Sequence, residues 1–344
     1  MAEPAEPAAY RLESGEAPDR LPLAIQLSNF VDRYGVLLLV LVMAVISFAA
    51  QPDVFLSDKN ILNIFRQNAF YFMLALGQFI VIVTAGIDLS VGSILVLGMM
   101  VSAVLFKDFG APWPVLVIAP LLVGLGVGMV NGIGLTKLRL PHPFIMTLGM
   151  MFIARGLANI ISGGVPIDKI PEEARWIGYE NLDILGMRVP ASLFAVIATY
   201  ILVWIFLHYV RSGRHIFAVG GNPQAARVSG VNVDRTLILA YGLCGLLAGF
   251  AGLIVLGRTG SGFPQAGSGD ELYAIAAVII GGASFFGGRG TVLGVFAGVL
   301  VLGLLRNLLN LNNVQSFWQQ VLIGVIIIGV VAFDVVRRRL TTAG

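Results

Sequence analysis

From about residue 34 to 335 the chain is written as apolar runs of the length that carries an α-helix across a bilayer, about 20 residues each. The runs fall near 34–50, 61–83, 90–106, 113–136, 143–161, 189–210, 236–257, 271–288, 289–309 and 316–335. Composition points the same way. The chain is 57% hydrophobic and only 12% charged, against about 25% charged in a soluble domain. The expected fold is an all-α polytopic membrane protein of about ten transmembrane helices, with the boundary near 281–288 the least defined.

An even number of crossings returns both termini to one side, and basic residues decide which side that is. Arg33, Lys137, Arg139, Arg211, Arg214, Arg227, Arg235, Arg289 and Arg337–Arg339 all fall on the side of the termini, which is therefore expected to be cytoplasmic. Residues 1–30, rich in Pro, Ala and Glu and without an apolar signal-peptide core, read as a disordered cytoplasmic tail. Residues 31–336 form the expected transmembrane domain, and 337–344 a basic cytoplasmic tail. The opposite side collects most of the acids, and its longest loop, 162–189, reads either as a docking surface for an outside partner or as a solvated amphipathic loop.

Much chemistry is excluded. The four lysines, Lys59, Lys107, Lys137 and Lys169, lie in no Gly-x-x-x-x-Gly-Lys-Ser/Thr phosphate loop. His142, His208 and His215 lack metal-ligand spacing, no nucleophile elbow is present, and the lone Cys244 sits in an apolar run. The run GLGVGMVNG at 124–132 has no preceding strand to make it a dinucleotide site. The expectation is a chain that is not an enzyme and carries no cofactor and no metal. Glycines spaced by four at Gly124, Gly128 and Gly132, at Gly245 and Gly249, and at Gly294 and Gly298 predict helix faces that approach closely.

Polar groups inside such runs must face protein, water or a partner. The stretch TAGIDLSVGS at 84–93 interrupts two apolar runs. Thr84, Asp88 and Ser90 there are expected to support a helix break, with Asp88 capping a helix that begins near Leu89, or else to contact solute. Asn68, Gln78, Asn131 and Asn159 add neutral amides suited either to a path for uncharged polyols or to inter-helix hydrogen bonds. Arg155 lies about 9 Å inside one helix end, within reach of snorkelling or of an acid. The segment AGSGDEL at 266–272, with Asp270, echoes AGIDL at 85–89, as an inverted internal repeat with two broken segments would.

The long basic loop 211–235 contains a short helix in outline. Asn222 is the cap, Pro223 the first helical residue, Gln224, Ala225 and Ala226 follow, and Gly230 suits the left-handed terminus. So short a helix must dock on something, and its paired alanines suit a partner's groove, or else its own bundle.

QAARVSG at 224–230 resembles the Glu-Ala-Ala-x-x-x-Gly coupling loop of permease subunits of ATP-binding-cassette importers, with Gln224 in place of the acid. With TAGIDLSVGS at 84–93, TLGMMFIARGLA at 147–158 before SGG at 162–164, GGNPQAARVSGV at 220–231 and DELYAIAAVIIGGASFFGGRG at 270–290, the chain from about 30 to 335 resembles the monosaccharide permeases that serve ribose, xylose and galactose. The same superfamily includes branched-chain amino-acid, nucleoside and autoinducer permeases. The resemblance implies a non-enzymatic subunit of the bacterial inner membrane that pairs with a second permease subunit, identical or not. It further implies two cytoplasmic ATPase subunits bound through 221–233 and a sugar-binding protein that delivers solute from outside. The Gln224 departure loses a charge and puts an ion pair there in doubt, not the docking helix. The rival from another class is a self-sufficient proton-coupled transporter using Asp88 or Asp270.

Overall fold

The computed structural model describes residues 23–140, 142–184, 186–326 and 328–329. Among the described residues, seven helices are long and apolar enough to cross a membrane: α3 (Asp58–Val83), α4 (Val91–Phe109), α5 (Trp113–Lys137), α6 (Pro143–Ser162), α8 (Ala191–Tyr209), α11 (Val233–Thr259) and α13 (Val292–Leu311). Two shorter apolar helices, Tyr34–Ala50 within α1 (Leu23–Ala50) and Ser316–Ile326, flank them. The remaining elements are α2 (Pro52–Phe55), α7 (Glu172–Tyr179), α9 (Arg211–Gly221), α10 (Pro223–Val228), α12 (Asp270–Ile280), and the strands β1 (Asn181–Ile184) and β2 (Met187–Pro190).

The helices are not equivalent. In α3 the most apolar window is 89% buried, whereas in α5 and α6 it is 22%, so α3 with α11 forms the interior and α5, α6 and α8 face outward. The outward faces carry Leu122, Phe152, Ile160 and Leu202, as a lipid-facing surface would. The inward face of α5 is a stripe of Leu116, Pro120, Gly124, Gly128, Asn131 and Gly132. A Cβ added at Gly124 would lie 2.1 Å from the Gly245 carbonyl oxygen, and one at Gly128 2.2 Å from that of Tyr241. Glycine spacing on α5 and α11 thus sets a backbone-to-backbone contact no larger residue permits. Gly294 and Gly298 do the same for α13 against Gly281 and Ala277.

Several expectations are corrected. The run 271–288 is not a full crossing. Helix α12 has 11 residues, about 16 Å at the helical rise and so half a hydrocarbon core. It stops where Gly281 meets the Gly294 turn of α13. The loop 162–189 is structured: it holds α7 and a short antiparallel hairpin, Asn181 opposite Pro190, within an otherwise all-α membrane fold. The basic loop carries a second helix, α9, ahead of α10. Helix α1 starts at Leu23, ahead of the expected boundary near 31; residues 1–22 and the tail at 337–344 lie outside the described residues.

Contacts give the direction of each pass. Asn60 pairs with Asn307 at one end of the bundle, where α7 also lies, and Gly288 N–H donates to the Val83 carbonyl at the other, beside α9 and α10.

Candidate functional site

Helix α3 ends at Val83 with Thr84 as its cap residue, its hydroxyl donating to the Val81 carbonyl (2.7 Å). Ala85 takes a left-handed conformation at φ 62°, and residues 86–88 climb back into the bundle without helical bonds. Irregular backbone at membrane depth survives only where protein satisfies it, and here side chains from α3 and α6 reach the backbone of Ile87 and Asp88. Gln78, with its amide oriented so that both ends are satisfied, donates to the Asp88 carbonyl (3.0 Å) and accepts the Asp88 N–H (3.1 Å). Thr147 donates to the Ile87 carbonyl (3.3 Å).

The Asp88 side chain, 0% exposed, accepts from the Ser90 N–H (2.8 Å), the Ser90 hydroxyl (2.5 Å) and Asn131 Nδ2 (3.3 Å). Asn131 also donates to Ser90 Oγ (2.9 Å). The helix therefore begins at Val91, later than expected, with Ser90 at the cap position and Asp88 holding the Ser90 amide from two residues upstream. Asp88, Ser90, Gln78 and Asn131, scattered over three elements in sequence, are one constellation in space, while Thr84 bonds back to the Val81 carbonyl of its own helix.

A second polar layer crosses α3, α12 and α13. Tyr71 donates to Asp270 Oδ1 (2.8 Å) and accepts from Arg306 Nη1 (2.8 Å). The guanidinium of Arg306 lies 4.8 Å from the Tyr71 ring centre and 4.7 Å from that of Tyr273, close enough for cation–π attraction. Tyr273 donates to Asn68 Oδ1 (3.5 Å), and Asn68 anchors itself on the Ile64 carbonyl (2.7 Å). Asp270 and Asn68 thus share this layer. Tyr71, Tyr273 and Arg306 went unnoticed in the sequence, although a charged residue inside the apolar run 289–309 was the signal for Arg306.

Arg155 stands in the field of the acids Glu271 and Asp270, and its hydrogen bonds go to backbone. It donates from Nη1 to the Pro264 carbonyl (3.0 Å) and to that of Ala266, fastening α6 to the segment between α11 and α12. Asn159 donates to the Arg155 carbonyl one turn back (2.8 Å) and joins neither polar layer.

At the α10 end, Asn222 Oδ1 accepts the Gln224 and Ala225 N–H groups, both at 3.0 Å, and Pro223 occupies the first turn. Gly230 follows at φ 86°. The alanine pair is split. Ala226 packs inward on Val219 and Val233, so it is not open to a partner, whereas Gln224, Ala225 and Arg227 are exposed and Val228 is 87% exposed. Helix α9 sits between α10 and the break: a Cβ at Gly220 would lie 1.6 Å from the Val83 carbonyl oxygen and 2.8 Å from Gly288 N. A cavity of about 280 Å³ opens between α10 and the break, lined by Thr84, Ala85, Thr136, Arg227, Asp234 and Tyr241 among others. Among the described residues no group of three His, Cys, Asp or Glu is placed to hold a metal ion.

Three relatives place this architecture. The D-allose transport system permease protein of Escherichia coli K12 is 37% identical over 93% of this chain and 96% of its own length. The ribose import permease protein of the same organism is 39% identical over 88% of this chain and 94% of its own. The galactose/methyl galactoside import permease protein of Haemophilus influenzae is 36% identical over 88% and 92%. No solved structure matches the chain. Residues 60–331, from the first interior helix through the last described one, match the family described as the branched-chain amino acid transport system / permease component, and the chain belongs to that family.

Proposed function

We propose that this chain is the transmembrane permease subunit of an ATP-driven, binding-protein-dependent importer of a monosaccharide. The observation that carries the reading is that relatives at 36–39% identity, aligned over most of both chains, import allose, ribose and galactose. Within that reading the chain spans the bacterial inner membrane with both termini in the cytoplasm, pairs with a second permease subunit and binds two ATPase subunits. Solute comes from an extracytoplasmic sugar-binding protein. ATP hydrolysis belongs to the ATPase subunits.

The α10 helix is the coupling element. Gln224, Ala225 and Val228 are its partner-facing groups, and Asn222, Pro223 and Gly230 fix its ends. Through Gly220 its motion would reach Val83 and the break directly, because no side chain cushions that contact. Asp88, Ser90, Gln78, Asn131 and Thr84 support the break and do not meet the sugar. Asn68 and Asp270 tie α12 to the interior, Arg155 fastens the segment before it, and Asn159 steadies its own helix.

The test is uptake of labelled allose, ribose and galactose into vesicles holding the permease, its ATPase subunits and its binding protein. The reading predicts uptake that requires ATP and the binding protein. Uptake by the permease alone under a pH gradient would overturn it.

A further inference from the structure

Helix α12 starts level with the middle of the spanning helix α3, and what precedes it is not helical. Tyr71, the partner of Asp270, stands half-way along the 26-residue α3, about 18 Å from Val83 at the helical rise. Gly267 lies against the first turn of α4: a Cβ at Gly92 would be 2.1 Å from the Gly267 carbonyl oxygen and 2.6 Å from Glu271 Oε2. The segment 264–270 therefore dips to the same mid-depth from which α12 departs. At that depth Gln265, Ser268 and Gly269 are exposed, Glu271 is half-buried and Leu272 is exposed. Left-handed turns at Gly267 (φ 68°) and Gly269 (φ 83°) shape the exposed backbone.

Lipid cannot cover this surface. Irregular backbone and an ionisable side chain at mid-bilayer are tolerated only against protein or in a water-filled passage. The buried side of the same segment is rigid, held by Arg155 on two carbonyls and by the Arg306–Tyr71–Asp270 chain. A stiff back and an exposed polar front are what a path wall needs.

We propose that Gln265–Leu272 forms the wall of the water-filled solute path, with Ser268 and Glu271 the groups that meet the sugar hydroxyls. This rests on the importer reading and deepens it. A hydroxyl and a carboxylate suit a polyol because together they donate and accept, and Gly269, beside which nothing lies within 4 Å of a Cβ position, leaves room for the solute.

The experiment uses the complete transporter in vesicles, with Cys244→Ala as the background, since Cys244 is the only cysteine. Single cysteines are placed at Ser268, at Gln265 as a second position, and at Leu122 on the outward face of α5, and their reaction with a charged, water-soluble methanethiosulfonate is timed. Thiolates form only in water, so Ser268→Cys and Gln265→Cys should react about tenfold faster or more than Leu122→Cys. Saturating sugar-loaded binding protein with ATP should slow them. Equal rates at all three positions would overturn the proposal, and so would slow labelling with a disulfide formed between two Ser268→Cys copies, the sign of a dry contact.

In the Cys244-containing parent, Glu271→Gln should raise the sugar concentration for half-maximal uptake about fivefold, the loss of one charged hydrogen bond, without lowering the unfolding temperature. An unchanged half-saturation would remove Glu271 from the path. Failure of the importer reading appears separately, as absence of ATP-driven uptake by the parent, because thiol labelling does not require transport.

Discussion

Replacing Asp88 separates support of the helix break from charge-dependent transport. Asp88→Ala removes the acceptor of the Ser90 N–H, the Ser90 hydroxyl and Asn131 Nδ2 in a site with no solvent. The hydroxyl can turn elsewhere, and Asn131 keeps its bond to Ser90 Oγ. The Ser90 amide is fixed by the backbone and has no second choice. One orphaned buried donor costs about 1–3 kcal/mol, and a weakened inter-helix bond adds about 0.6 kcal/mol. The sum, about 2–4 kcal/mol, lowers the unfolding temperature by about 4–8 °C, taking about 2 °C per kcal/mol for a chain of this size.

Asp88→Asn behaves differently. Its amide oxygen still accepts from Ser90, and its new amino group faces Asn131, whose Oδ1 is buried without a partner and can turn to accept it. That substitution should cost less than about 1 kcal/mol and leave transport near the parent level. The assay is built into the protein: Cys244 is the only cysteine and is fully buried, so a thiol-reactive dye reports unfolding. Equal destabilisation by Asn and Ala would refute the hydrogen-bond accounting. Loss of uptake in Asp88→Asn at unchanged stability would refute structural support as its role and favour a proton or solute site.

Two further predictions use positions that differ in one respect only. Gly124→Ala drives a Cβ into the Gly245 carbonyl oxygen, whereas Gly126, on the same helix, has nothing within 4 Å. The first should lower the dye-detected unfolding temperature by several degrees, and the second should hold or raise it, since Ala is favoured over Gly in a helix by up to about 1 kcal/mol. Asn222→Ala removes the acceptor of two exposed amides on a six-residue helix. It should cost about 1 kcal/mol locally, reduce co-purification of the ATPase subunits, and leave the unfolding temperature unchanged; Asn222→Asp, which also caps, should restore binding.

Which parts of this were legible follows from what each signal measures. Hydropathy counts residues that lipid or protein will accept, so it located the long crossings but could not rank them. An apolar residue facing lipid and one facing α11 look alike in sequence, which is why nothing in α3 announced that it is interior while α8 faces outward. Small residues are different, because glycine at a four-residue spacing is useful only where another backbone approaches. Gly124, Gly128 and Gly132 accordingly marked the buried face of α5 in advance. Local chemistry was readable as well. Asn222–Pro223 and Gly230 bracket α10 because capping and φ preferences are properties of single residues.

The sequence by itself determined that this chain spans a membrane, that it breaks near Asp88 and Asp270, and that α10 stands apart in a basic loop. Tertiary structure alone decided that 271–288 is half a helix, that Ala226 turns inward while Ala225 stays out, and that Arg155 binds carbonyls. It also decided that Tyr71, Asp270 and Arg306 meet, which joins residues 235 positions apart. The physical reason is common to all four. Each depends on which neighbour supplies the missing hydrogen-bond partner or fills the missing volume, and a one-dimensional pattern of polarity contains the need for a partner but not its address.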